Sequence, residues 1–397
     1  MTAVETQTSQ VPLETSLRKR KSLLPEIAVV AVLALVFIFL APLLLNALGQ
    51  GSRVNQLGRF LSLAIAALGI DLIWGYTGML SLGHGIFFAL GGYAFAMYLQ
   101  LQLPAGQIPD FFNLYGVTEL PAFWQPFYSL PFTVFAIFAI PTLVAVILGY
   151  LVFRNRIRGV YFSILTQAAL IVFFNFFNGQ QKLINGTNGL KTDTATFFGS
   201  LVSDPKNQTV FYALSVLFLV GGYALCRWLT SGRLGRLLIA IRDDEPRVRF
   251  SGYDPTWYKV FVFAVSAGLA GIAGALYTVQ SGIITPKAMD IAFSIEMVIW
   301  VAVGGRATLA GAVLGALVVN FAKTLLSEQY PEVWLFFQGG LFLLVVTVLP
   351  SGFLGLFNRK TLLWLRANLL GQRPKLSTYP SLEEDPEVDH ERKNIRN

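Results

Sequence analysis

Cysteine occurs once in this 397-residue sequence, at Cys226, and histidine twice, at His84 and His390. A single thiol excludes a disulfide within the chain, and neither residue type is numerous enough to build a metal centre. Charge is scarce too: acidic and basic residues make up 13% of the chain, about half the share usual in soluble domains. No G-x-x-x-x-G-K-S/T run occurs, so the chain carries no phosphate-cradling loop of its own. These shortages exclude a conventional water-soluble enzyme and a nucleotide hydrolase.

Apolar residues make up 54% of the sequence and arrive in blocks. Uncharged stretches run over 27–52, 72–109, 120–153, 159–181, 207–226, 260–286 and 333–358. Crossing a hydrocarbon core of ~30 Å takes about 20 residues of helix at ~1.5 Å each, and every stretch reaches that length. The pattern predicts an all-α polytopic membrane protein with about ten spans, near 27–48, 56–74, 80–101, 129–152, 160–178, 209–229, 258–281, 291–303, 308–326 and 334–350. A count of about eight or nine with a re-entrant segment is also open, because 56–74 contains Arg59 and Asp71, and 291–303 is short and contains Glu296.

The formal charge of +8 separates along this frame. With ten crossings and the N-terminus inside, the cytoplasmic side collects Arg18–Lys21, Arg154, Arg156, Arg158, the arginines of 227–249 and the basic residues of both tails. The outer side holds Arg53, Arg59, Lys182, Lys191, Lys206, Lys287 and Lys323. The bias is that of the positive-inside rule, and it puts both termini in the cytoplasm. No basic patch is interleaved with aromatics in a polar segment, so nucleic acid is not an expected partner. The first apolar block lacks a small-residue cleavage pattern and reads as an uncleaved span.

Residues 1–26 and 351–397 read as cytoplasmic tails around a membrane domain over 27–350. Outer loops are expected at 102–129, rich in proline and aromatics, and at 179–208, rich in Asn, Gly and Thr. A charged cytoplasmic loop is expected at 230–257. Small residues recur every fourth position at Ser266, Ala270, Gly274 and at Ala307, Gly311, Gly315, faces suited to close packing inside the bundle or against another subunit.

Few residues are candidates for chemistry. Asp71 and Glu296 are the main acids within expected spans, and such groups are functional candidates by default. Asp71 is expected near a helix end and close to water. In the loop, Leu234, Leu237, Leu238 and Ile241 follow helical spacing, Asp243, Asp244 and Glu245 crowd one end, Pro246 can open a second helix and Gly252 can close it. The same pattern fits an ordinary interfacial loop. On the fifth expected span Gln167, Ile171, Asn175 and Asn178 share a face flanked by Phe173, Phe174, Phe176 and Phe177. Thr77, Ser81 and His84 form a second candidate lining.

The run Trp74–Tyr93 resembles the signature of permease subunits of ATP-binding-cassette importers for branched-chain amino acids and their urea-transporting relatives. So do Asn185-Gly-Thr-Asn-Gly-Leu190, Gly235–Gly252, Ser294–Gly305 and Leu349–Gly355, in the family's order. Within the family, Gly78–Phe88, the loop from Pro109 to Phe127 and Gln181–Lys191 most resemble the urea-transporting subunits.

The resemblance implies a fold like that of type II importer permeases, in a bacterial inner membrane, forming half of a path for urea or short amides. It implies a second homologous permease, two ATPase subunits that carry ATP and Mg, and an extracytoplasmic solute-binding protein as partners, with membrane lipid around the chain and no cofactor within it. The ATPase-coupling motif would fall on Arg242, Asp243, Asp244, Glu245, Arg249 and Gly252, where Pro246 and Arg247 replace small residues. Candidate path residues are Thr77, Ser81, His84, Gln167, Asn175, Asn178 and Glu296. Asn185, Gly186, Thr187, Asn188 and Gly189 form the outer-loop motif. Ala307 stands where relatives commonly have glycine. A branched-chain amino acid permease of the same architecture and an ATP-independent urea channel are the alternatives.

Overall fold

The computed structural model describes residues 24–47, 53–104 and 107–330, with isolated positions at 49, 51 and between 333 and 352. The apolar blocks form α1 (Leu24–Ala47), α2 (Arg53–Thr77), α3 (His84–Gln100), α5 (Leu130–Arg154), α6 (Val160–Gly179), α8 (Pro205–Ser231), α10 (Pro255–Ser281), α11 (Ile291–Gly304) and α12 (Leu309–Gln329). Short α4 (Asp110–Leu114) and α7 (Gln181–Ile184) lie in the two loops expected outside the membrane, and α9 (Arg233–Phe250) occupies the charged loop.

Helices α2, α5, α6, α8, α10 and α12 are long and apolar enough to cross a membrane. Helix α3, with 17 residues, rises roughly 25 Å and α11, with 14, roughly 21 Å, both short of the hydrocarbon thickness. The expected tenth span at 334–350 and the tails at 1–26 and 351–397 lie outside the continuously described residues, except that α1 already begins at Leu24. Among the described residues the departures from an all-helical fold are four two-residue strands: β1 (Leu190–Lys191) pairs antiparallel with β4 (Ile283–Ile284), and β2 (Thr196–Phe197) with β3 (Ser200–Leu201).

Helix α10 is the hub of the bundle and packs on α2, α3 and α5. Its small residues let it do so. A Cβ on Gly274 would sit 1.8 Å from the Phe88 carbonyl oxygen, and one on Gly91 would sit 2.0 Å from that of Gly271. The second small-residue face closes the α11–α12 hairpin, where a Cβ on Gly315 would lie 2.0 Å from the Trp300 oxygen. Both faces are thus used within the chain. The hairpin turn places Ala307 at φ 61°, a left-handed conformation that explains glycine as the commoner residue there.

This packing gives a direct test. Gly274→Leu is expected to destabilise the purified protein by about 1–3 kcal/mol or more, through overpacking against rigid backbone. Gly221→Leu on α8, where a Cβ meets nothing within 4 Å, should leave the melting temperature unchanged. Equal melting of the two variants would contradict the packing account.

Candidate functional site

Helix α9 consists of two helical pieces joined at Asp244, whose backbone leaves helical geometry at φ −153° and ψ 87°. The Asp244 carboxylate accepts a 3.0 Å hydrogen bond from the Arg247 N–H and so caps the piece that Pro246 opens. Gly252, at φ 86°, lies just beyond its end. The buried stripe is Gly235, Leu238, Ile241, Glu245 and Val248, so Glu245 occupies a position where the spacing calls for an apolar side chain.

Three cations meet that buried carboxylate. Lys259 Nζ on α10 lies 2.5 Å from one oxygen of Glu245, and Arg158 Nε, from the turn between α5 and α6, lies 3.4 Å from the same oxygen. Arg249 Nη2 donates to the other oxygen at 3.0 Å. Burial by itself would raise the Glu245 pKa, but the hydrogen bonds and charges of Lys259, Arg249 and Arg158 hold it below the ordinary glutamate value of 4.5. The carboxylate therefore fastens α9 to α10 and to the α5–α6 turn.

A second attachment reaches α2. Arg242 Nη1 donates at 2.9 Å to the Gly75 carbonyl, one of the open acceptors at that helix's end, while its Nε meets Asp243 at 3.0 Å. One turn deeper, Asp71 Oδ1 accepts from the Ala307 N–H at 2.7 Å and ties α2 to the α11–α12 turn. Asp71 is fully buried and its Oδ2 has no hydrogen-bond partner, contrary to the expected position close to water. Arg306 stacks over Trp74 at 5.1 Å beside this clamp. Between α9 and the turns at 77–79 and 157–159 lies a polar cleft of about 350 Å³, with Thr77, Arg158, Arg242, Asp244, Glu245 and Lys259 among its lining.

The structure distributes the other candidates differently from the sequence reading. Thr77 lines the cleft but donates its hydroxyl to the Ile73 carbonyl at 2.5 Å. Ser81 and His84 are buried: Ser81 Oγ accepts from the Gly83 N–H, and His84 Nε2 meets Ser266 Oγ at 2.8 Å between the Phe87 and Phe263 rings. Both are enclosed by neighbouring helices among the described residues. Glu296 is closed by Lys323, whose Nζ reaches both carboxylate oxygens at 2.7 and 2.8 Å. On α6, Asn175 is exposed, and Gln167 and Asn178 are half-buried.

At the opposite end, Asn185 adopts φ 59° and donates to the Gly189 carbonyl at 2.8 Å. Gly189 must be glycine-like, since a Cβ there would fall 2.1 Å from the Ile284 oxygen. Gly186, Thr187 and Asn188 form one short turn, and the Gln181 amide bridges the Thr187 and Tyr115 hydroxyls at 3.1 Å each. The Trp124 indole donates to the Leu183 carbonyl at 3.1 Å, so the two loops, 102–129 and 179–208, form one platform.

Long apolar helices, a charged helix ionically fixed across one end and a structured platform at the other define a polytopic membrane protein. The chain belongs to the family described as branched-chain amino acid transport system permease component, which matches residues 52–346. It is similar to the high-affinity branched-chain amino acid transport system permease protein LivM of Escherichia coli, with 26% identity over 313 residues that cover 73% of this chain and 67% of the relative. BraD of Pseudomonas aeruginosa, of the same description, is 24% identical over 76% of this chain and 94% of its own length. The ribose import permease protein RbsC of Haemophilus influenzae is 24% identical over 54% of this chain and 67% of its own. No solved structure matches the chain. The protein is a multi-pass inner-membrane permease subunit of an ABC importer of the branched-chain amino acid type.

Removing Glu245 strands Lys259, whose side chain is 5% exposed, without its counter-charge. Glu245→Ala should destabilise the α9 attachment by about 3–5 kcal/mol, read as faster proteolysis of 233–250, while Glu245→Leu with Lys259→Leu recovers most of that loss. Because the folded pKa lies below the unfolded one, this stabilisation is full above pH 4.5 and is lost as pH falls through the lower folded value. Opening of α9 already near neutral pH would contradict the ion cluster.

Proposed function

We propose that this chain forms half of the path of an ATP-driven importer and that its cargo is urea or a short amide. In this reading α9 and both termini are cytoplasmic, and a second homologous permease completes the path. Two ATPase subunits, which bind ATP and Mg, act on α9, and an extracytoplasmic binding protein delivers the solute to the platform. When the ATPases close, they shift α9. Its ties through Glu245 to α10 and through Arg242 to α2 carry the shift into the central helices, and Asp71 passes it to the α11–α12 turn. Access then alternates between the two ends.

The observation that carries the cargo assignment is the amide face of α6. Gln167 and Asn175 make no side-chain hydrogen bond among the described residues, and no charged residue lies between Val160 and Gly179. Amides left open in this way suit a neutral, hydrogen-bonding solute that exchanges water for protein partners. Glu296, the acid among the candidate path residues, is paired with Lys323 and is not free to meet a zwitterion's ammonium.

The names of the relatives favour a second reading, import of branched-chain amino acids. Identities of 24–26% extend within the same comparison to a ribose permease, so similarity at this level supports the scaffold more firmly than the cargo.

Uptake of labelled urea by the reconstituted complex decides between these readings. Urea uptake should require ATP and be competed by acetamide but not by leucine. Gln167→Leu with Asn175→Leu should lower uptake about tenfold at unchanged assembly, if each amide contact to the solute is worth about 1 kcal/mol. Leucine uptake that excludes urea would establish the second reading, and urea flux through this chain alone without ATP would mean a channel. Full ATP-coupled uptake in Glu245→Ala with Arg249→Ala would remove α9 from the coupling role.

A further inference from the structure

The turn between α5 and α6 presents more cation than its ion pairs use. Arg156 and Arg158 are both exposed, and Arg156 makes no ion pair among the described residues. Arg158 meets Glu245 through Nε at 3.4 Å, and its side chain stays 42% exposed. Directly below, on the membrane side, a groove of about 720 Å³ runs along the first turns of α6, bounded by Arg156, Arg158, Tyr161, Ile164, Leu165 and Ala168. Its walls face outward: Tyr161 is 77% exposed and Ile164 57%.

We propose that this groove is a binding site for an anionic phospholipid, whose phosphate sits between Arg156 and Arg158 and whose acyl chain lies along Tyr161, Ile164 and Leu165. Charge complementarity selects this occupant. A helix of a second protein would need a carboxylate placed at the guanidinium pair in addition to apolar side chains along the groove, whereas every anionic phospholipid supplies both at the depth where the groove changes from basic to apolar. A free phosphate would fill the basic end and leave the apolar wall to other lipid.

The site has a regulatory consequence because Arg158 belongs to two partners. A phosphate on its free nitrogens anchors the turn to the membrane surface and draws the guanidinium from Glu245, which keeps Lys259 and Arg249. Lipid charge thereby adjusts how firmly α9 is held. This consequence rests on the assignment of α9 as the coupling helix; the binding itself does not.

Native mass spectrometry of the assembled complex, released from nanodiscs of equal phosphatidylcholine and phosphatidylglycerol, tests the site without any transport assay. Retained phosphatidylglycerol should exceed phosphatidylcholine, and its retention should fall about fivefold for each of Arg156→Asn and Arg158→Gln. Asn at 156 tolerates the φ of 58° there, so folding is preserved. A benzoyl-phenylalanine at Leu165, which is exposed on the side of α6 away from the amide face, should cross-link to lipid. Equal retention of the two lipids, retention unaffected by both substitutions, displacement by millimolar glycerol phosphate, or a cross-link to another protein chain would each overturn the proposal. ATP turnover should vary with phosphatidylglycerol content in the wild type and not in Arg156→Asn. Binding without that dependence would overturn the regulatory half alone.

Discussion

A carboxylate buried among helices is costly unless cations and hydrogen bonds surround it, and Glu245 satisfies that condition with side chains from different parts of the fold. Lys259 comes from the first turns of α10, Arg158 from the α5–α6 turn and Arg249 from α9 itself. Separating α9 from the bundle would leave Lys259 buried without its counter-charge and Glu245 with Arg249 alone. The amphipathic helix across the charged end is therefore held by an attachment that resists sliding, with Arg242 on the Gly75 carbonyl as a second point of contact.

Helix α10 turns that attachment into a lever. Its N-terminal turns hold Lys259, and its later turns carry Ser266, Ala270 and Gly274, which bring α2 and α3 to backbone contact. Interfaces this close have little room to absorb displacement by side-chain rearrangement, so a shift at Lys259 is passed on to α2 and α3. Asp71 extends the chain of contacts to α11 and α12 through a single backbone N–H. The platform at the other end is fixed to the same lever, because β4 follows α10 directly and pairs with β1.

The helices were legible because membrane-length apolar blocks leave few alternatives, and α9 was legible from Leu234, Leu237, Leu238 and Ile241 and from Pro246 and Gly252. The role of Glu245 was visible only in part. It continues the stripe of Leu238 and Ile241, a signal that it points inward, but its partner Lys259 belongs to the next helix. Asp71 could not be read correctly, since its partner is the N–H of Ala307, 236 residues away. For His84 the sequence left a path lining and helix packing both open, because Ser266, 182 residues away, and two phenylalanine rings close over it only in the fold. Lys323 was placed on the outer side by the order of the expected crossings, which gave no sign of its pairing with Glu296 on the neighbouring helix.

The central claim is that α9 moves with the helices it is fastened to. Distances between spin labels on Ala240 of α9 and Asn155 of the α5–α6 turn, both exposed, test it most directly in the assembled complex through the ATP cycle. Cys226 is buried, so labelling at the introduced sites is selective. The account predicts that this distance stays constant, as does that from Asn155 to a label on Thr187 of the platform, while the distance from Asn155 to a label on the second permease changes. A change between Ala240 and Asn155 with the helices and platform at rest would contradict it.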